Sequence, residues 1–283
     1  MTIIITHPGS AHLDDFLSCC LVINKSKKIT KIKRKEPTPS EIKDPNIWKL
    51  DVGESLDPAK KCFDHHQKGM TEECTLSLLL KHWETWSIAN EVHRWLNYVV
   101  IKDTLGPMEV ATQLKISSTA MGVLDSFIQR TILDLFKDQE EIKKGSILFS
   151  LMEIIGDHFF TLIDDYTTVL EEVNNKIEFQ MIEGVQVVLC HEIIHHSSTL
   201  VLIIKDKMKE EWPDLRGGIA TYPNKRVKGS IAIKRFDNDP RVDFTRVADH
   251  EKVIYCHPEG FFISVEQMPE ELLKKYIKDA IIT

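Results

Sequence analysis

Two rhythms of apolar and polar positions alternate along the chain. The apolar run TIIIT (2–6) predicts a strand, and a polar stretch from His7 to Asp15 follows it directly. From Leu13 onward, Phe16, Leu17, Cys20 and Leu21 recur at the spacing of one helical face. The predicted order is strand, polar loop, helix. That loop lies at the carboxyl end of the strand, where open α/β sheets place their sites. Residues 25–35 carry seven Lys/Arg in eleven positions and read as a solvated basic edge strand, with a nucleic-acid contact as the weaker alternative. PTPSEIKDP (37–45) is a loop, IWKLDVG (47–53) a short strand ending in Asp51, and a further short piece leads to FDHHQKG (63–69). Residues 75–101 are predicted as one long amphipathic helix, its Trp83, Trp86 and Trp95 belonging to the core. Helices are also predicted over 118–137 and 139–178.

After about residue 180 the rhythm changes. VQVVLC, TLVLIIK, GIATY, KGSIAIK and KVIYC are short runs of strand character separated by polar turns, and a helix at 269–280 closes the chain. The expected class is α/β: a parallel-sheet N-terminal domain, a helical connector, and a smaller α+β C-terminal domain. The division falls at 1–178 and 179–283.

Composition narrows the functional classes. With 42% hydrophobic and 28% charged residues in 283, the chain has the make-up of a folded globular protein rather than a disordered one. A net charge of −7 excludes a protein that coats nucleic acid through bulk positive charge. No apolar run approaches 18 residues, and the start lacks a basic, then apolar, leader. Six cysteines without a CxxC pair suit reduced thiols, so a cytoplasmic location is expected.

Candidate chemistry gathers in the first 105 residues. His7, His12, Asp14 and Asp15 follow the first strand, Asp51 ends another, and Asp64, His65 and His66 follow a third; Asp103 closes the long helical stretch. Imidazoles mixed with carboxylates at strand ends suit Mn²⁺, Fe²⁺ or Zn²⁺ rather than Ca²⁺. Two cations about 3.5–4 Å apart, sharing a carboxylate, would activate water near neutral pH and clamp phosphoryl oxygens. Taken singly, each residue has an ordinary explanation. Asp14 and Asp15 open a helix, where the dipole favours acids, and for Asp15 that remains the better explanation. Asp51 before a glycine could be a turn residue, and adjacent histidines often lie in surface loops. Taken together, the metal site prevails.

THPGSAHLDD, LDVGESLDP and FDHHQ together resemble the DHH phosphoesterase superfamily, and within it the Myg-type exonuclease branch. LSLLLKH (76–82) is similar to the helix that follows its Asp-His-His motif. The resemblance is dense over 5–16 and 50–82. It implies that His7 and His12 bind one metal, Asp14 and His65 the other, with Asp51 as the bridge and Asp103 on the second ion. It further implies that Asp64 holds His65 in the correct tautomer and that His66 faces the substrate phosphate as a donor or general acid.

Two features lie in the C-terminal part. HEIIH (191–195) satisfies a zinc-peptidase pattern that requires a helix, yet only about eight residues separate two runs of strand character there, so a histidine-rich connection is the better reading. Basic residues gather in LRGGIATYPNKRVKGSIAIKR, and CHPEGFFIS (256–264) resembles the substrate-gripping segment of the superfamily's second, DHHA1-type domain. His257 and Gly260 match it, whereas Ile263 and Ser264 replace a Gly-Gly pair. Arg216, Lys228, His257 and Gly260 are the substrate contacts so implied. The expectation is a Mn²⁺-using phosphodiesterase, an exonuclease acting on short or single-stranded RNA or DNA. A pyrophosphatase or small-nucleotide phosphodiesterase with the same site, or a non-catalytic RNA- or metal-binding relative, stays open.

Overall fold

The computed structural model describes residues 2–67, 72–117, 119–121, 126–190, 199–224 and 226–282. They fall into two compact units, Met1–Ile163 and Asp164–Thr283, with the boundary inside the helix Ile147–Asn174.

In the first unit, β1 (Thr2–Thr6) pairs in parallel with β2 (Ile29–Arg34) and β3 (Ile47–Leu50), and β3 in parallel with β5 (Cys62–Phe63). Two antiparallel strands close the edges, β4 (Leu56–Asp57) beside β5 and β6 (Glu141–Lys143) beside β2, giving the order β4-β5-β3-β1-β2-β6. Ile4 and Ile5 are both fully buried, so β1 is covered on its two faces, which is why its sequence is an unbroken apolar run. The helix that follows, α1 (Leu13–Lys25), is buried without interruption from Asp14 to Ile23. The short α2 (Pro39–Lys43) leads into β3. α3 (Thr75–His82), α4 (Trp86–Val92), α5 (Leu96–Thr104), α6 (Pro107–Leu114), α7 (Phe127–Lys137) and α8 (Ile147–Asn174) complete the helices described in this part.

The second unit is a six-stranded sheet in the order β11-β12-β10-β9-β8-β7. Its strands are β7 (Ile177–Ile182), β8 (Val185–Cys190), β9 (Gly218–Pro223), β10 (Ser230–Phe236), β11 (Val253–Cys256) and β12 (Phe262–Glu266). The parallel β8–β9 pair is joined through α9 (Leu200–Glu211), and the remaining pairs are antiparallel. One face of the sheet packs Ile219, Ile233, Ile263 and Val265 with Leu273 and Ile277 of α10 (Glu270–Asp279). The α/β class expected from the sequence holds.

Four elements depart from the sequence expectation. The stretch 75–101 is three short helices rather than one, because Glu84 adopts φ 56° and ends α3 in a Schellman-type turn, Thr85 N donating to Leu80 O at 2.9 Å. A glutamate gives no warning of a left-handed turn. Residues 139–178 are likewise not all helical: Glu141–Lys143 form β6, a strand too short to show a period. The basic run 29–34 is not an edge strand, since β6 covers it and Glu141 pairs with Lys31 at 3.0 Å. TLVLIIK lies within a helix, α9, whose buried Leu200, Ile203, Ile204 and Met208 keep helical spacing once the polar continuation to Glu211 is included.

Close packing of α8 on α1 makes a testable demand. Gly156 lies against Cys20, so that a Cβ there would collide with the Cys20 carbonyl oxygen. An alanine normally gains about 1 kcal/mol over glycine in a helix. Here Gly156→Ala is expected to lose about 1–2 kcal/mol by overpacking. Urea unfolding decides the sign, and a more stable variant would refute this packing.

Candidate metal centre

The cluster forms at the carboxyl ends of β1, β3 and β5, with α1, α3 and α5 supplying the rest. His7 follows β1 immediately. Asp51 follows β3 and turns the chain with φ 59°, a left-handed conformation that aspartate tolerates better than most residues. That turn is held by Asp51 N donating to Phe63 O at 2.9 Å. Beneath it the fully buried Lys49 donates its Nζ to the carbonyls of Asp44, Ile47 and Lys60.

Asp51 then presents its two oxygens to two imidazoles. Oδ2 lies 3.4 Å from His7 Nε2 and Oδ1 lies 3.2 Å from His65 Nε2. His65 Nε2 is also 3.0 Å from Asp103 Oδ2, and His12 Nδ1 is 3.4 Å from Asp103 Oδ1. Asp103, near the end of α5, therefore faces both His12 and His65. Asp14 is completely buried, and its carboxylate accepts from the first amides of α3, Thr75 N at 3.1 Å and Leu76 N at 2.7 Å. A helix N-terminus is a natural seat for an anion. Among the described residues, two groups hold their ligand atoms close enough for one ion: Asp51, His65, His66 and Asp14, His65, Asp103.

Asp15 does more than start a helix. Its Oδ1 accepts from the backbone of His12 and Phe16, at 2.8 and 2.9 Å, while Oδ2 lies 3.1 Å from His7 Nε2 and 3.6 Å from Arg34. Asp64 engages His66, Nδ1 to Oδ1 at 2.7 Å, and not His65 as the motif implied. The same Oδ1 accepts from His66 N at 3.1 Å, and this local turn brings the carboxylate to the second histidine rather than the first. Its other oxygen accepts from Glu54 N at 2.6 Å. His66 itself is more than half exposed.

Arg34 and Thr75 belong to the cluster although no motif marked them. Arg34, 5% exposed, donates to the carbonyls of Gly9, Ser10 and Lys137 and so ties the loop after β1 to the end of α7. Thr75 Oγ1 donates to Phe63 O at 3.1 Å and lies 3.4 Å from Asp51 Oδ1. The signal for Arg34 was hidden inside the basic run. A cavity of about 240 Å³ opens beside the cluster, lined by His12, Asp14 and Asp103 with Val99, Gln129 and Leu133.

The electrostatics suit cations. Burial disfavours a charged His7, but Asp15 and Asp51 prevail and hold it up at about 9. His65 is likewise opposed by burial, yet Asp103 and Asp51 raise it to about 10. Burial above all, then the charges of Asp51 and Asp103, push Asp14 well above the carboxylate range. For Asp103 burial acts upward but is outweighed by His12 and His65, which hold it well below that range. His7 Nε2 and His65 Nε2 are buried and make no directed hydrogen bond. Two such nitrogens among carboxylates fit a pair of divalent ions.

The implied substrate residues lie in the second unit and do not all meet. Arg216 precedes β9, and His257 and Gly260 sit in the β11–β12 turn near that same end of the sheet; Lys228 is in the β9–β10 turn at the opposite end. Gly260 has φ 61°, and any Cβ there would strike the Asp243 carboxylate. HEIIH (191–195) lies outside the described residues.

The titrations give a prediction. Both imidazoles titrate above the unfolded value of about 6.5. Their contribution to metal-free stability is therefore complete below about pH 6.5 and lost as pH rises through 9–10. With chelator present, the thermal midpoint should fall between pH 8 and 10. Metal needs these imidazoles neutral, so at pH 7.5 its binding should release about two protons, and one more wherever Asp14 is protonated. Calorimetry in buffers of different ionisation enthalpy measures this; metal uptake without proton release would exclude His7 and His65 as ligands.

Residues 3–89 match the family model MYG1_exonuc, an uncharacterised protein family (UPF0160). No curated protein is significantly similar to the chain. Among solved structures, a DHH domain from a member of the s1p family of ribosomal proteins is 13% identical at a TM-score of 0.36, over 98% of this chain and 86% of its own. RecJ in complex with Mn²⁺ from Thermus thermophilus is 10% identical at 0.30, over 98% and 51%. An uncharacterized protein from Helicobacter pylori G27 is 12% identical at 0.22, over 98% and 99%. Likenesses this distant add no argument to the family match. Residues 3–89 are thus similar to the MYG1_exonuc family, in keeping with the Myg-type resemblance that the three ordered motifs carry.

Proposed function

We propose that the protein is a metal-dependent phosphoesterase, and that it shortens single-stranded RNA or DNA from an end. The observation that carries this reading is Asp51, whose two oxygens each face a buried imidazole nitrogen that makes no directed hydrogen bond. His7, His12, Asp14, Asp51, His65 and Asp103 would hold a pair of divalent ions, with Mn²⁺ the first candidate and Mg²⁺, Fe²⁺ or Zn²⁺ compatible with the donors. Such ions supply an activated water and neutralise the charge that builds on phosphoryl oxygens.

The side chains do the rest. Arg34 and the α3 amides offset the buried carboxylates and fix the ligands before substrate arrives. His66, at the exposed rim, donates to a phosphoryl oxygen or to the leaving oxygen, and Asp64 sets its orientation. Asp64 and His66 are thus a positioning residue and its substrate-facing partner.

Metal-stripped protein supplied with Mn²⁺, Mg²⁺ or Zn²⁺ should shorten end-labelled oligonucleotides stepwise. Asp51→Asn, which suits the left-handed backbone, should keep the circular dichroism spectrum and lose about 1000-fold in kcat/KM. Asp64→Asn should lower kcat by roughly 10- to 100-fold with little change in KM. Phosphate released from pyrophosphate alone would overturn the nuclease assignment while keeping the metal centre. An Asp51→Asn protein of full activity would overturn both.

A further inference from the structure

The metal chemistry leaves one edge of the first sheet without a use. β6 is the last strand in the order β4-β5-β3-β1-β2-β6, and among the described residues no strand pairs with its outer side. Register shows which backbone groups that side presents. Arg34 N donates to Glu140 O at 2.9 Å, and Lys144 N donates to Thr30 O at 2.9 Å. Hydrogen-bonded pairs alternate along an antiparallel ladder, so the amide and carbonyl of Ile142 also face β2. Those of Glu141 and Lys143 point outward. The Lys143 carbonyl accepts from Ser146 N within its turn and keeps a second lone pair.

An apolar surface adjoins this edge. A groove of about 530 Å³ runs beside β6, lined by Leu135 of α7 and by Ile147, Leu148 and Leu151 of α8. Ile147, Leu151 and Ile154 fall at i, i+4 and i+7, which is one face of the helix. Ile147 is 91% exposed and Ile154 64%, so that face has no cover. Ile142 shares a core with Phe149 and Met152 of the same helix, which puts α8 on the side of the sheet to which Ile142 points.

Charge selects the occupant. A guarded edge strand carries lysines or other charges that repel a second strand. β6 instead reads Glu-Ile-Lys, and reversed it reads Lys-Ile-Glu, so an antiparallel copy sets unlike charges opposite each other. With Ile142 on a two-fold axis, Glu141 faces Lys143 of the second copy, and each such pair exchanges two of the outward backbone hydrogen bonds. That axis stands perpendicular to the sheet and keeps each face on its own side. The apolar stripe of α8 then meets the stripe of the second copy.

We propose that the protein forms a two-fold dimer through β6 and the exposed face of α8, joining two six-stranded sheets into one. The strands of the two copies run in opposite directions, so the two metal centres lie at opposite ends of the joined sheet and outside the interface. The dimer rests on the sheet edge and is independent of the nuclease reading. A strand of three residues beside one groove makes a small interface, and the dimer is weak and reversible.

Sedimentation velocity on the metal-free full chain, from low micromolar concentration upward, should show a concentration-dependent monomer–dimer equilibrium. Ile147→Lys should weaken association at least about tenfold. Its side chain is almost wholly exposed, so the variant folds. Lys143→Pro removes an outward N–H and no bond to β2, a place where an edge strand tolerates proline. It should weaken association by a similar factor while the circular dichroism spectrum is kept. A monomer at every concentration up to the millimolar range would overturn the proposal and leave the edge to a strand of another protein. A dimer of unchanged strength in both variants would overturn it as well, by placing the contact elsewhere.

Discussion

Carboxylates crowded together out of water are the constraint around which the first unit is organised. Asp14, Asp15 and Asp51 are buried to 3% exposure or less, and the Asp103 side chain nearly so. Like charges at such separations in a poorly polarisable interior repel strongly, and each also loses its hydration. Every neighbouring element contributes an offset. α3 turns its first two amides to Asp14, β2 sends Arg34 to Asp15, and His7 and His65 stand on either side of Asp51.

This explains features that would otherwise look unrelated. β2 is rich in lysine and arginine, yet only Arg34 enters the interior, because one guanidinium there can satisfy several carbonyls and a carboxylate at once. α3 begins where it does because its free amides are needed at Asp14. The two imidazoles remain charged far above their ordinary range in the absence of metal, so protons occupy the role that divalent ions would take.

Which positions could converge was readable from order alone: three polar clusters, each directly after a strand-forming run. The pairing inside the cluster was not. Asp64 reaches His66 because of the local backbone direction, which adjacent letters do not reveal. Glu84 takes a left-handed turn without glycine, so the division of 75–101 left no mark in the sequence. TLVLIIK misled because a run of β-branched and apolar residues fits a strand until its polar continuation is counted. Arg34 was one letter in a basic tract, and nothing local distinguishes the buried guanidinium from the solvated ones. For Arg34 the missing information is a set of tertiary contacts, and for the other three it is local backbone conformation or the length over which a run is read.

The left-handed backbone at Asp51 has an evolutionary consequence. Asparagine and glycine are the residues that best tolerate that conformation, yet neither offers the carboxylate that the proposed pair of ions would share. A lineage can therefore abandon the chemistry at this position while its architecture stays intact. Kinship judged by shape would group such silent descendants with active ones, and the identity of one turn residue would separate them.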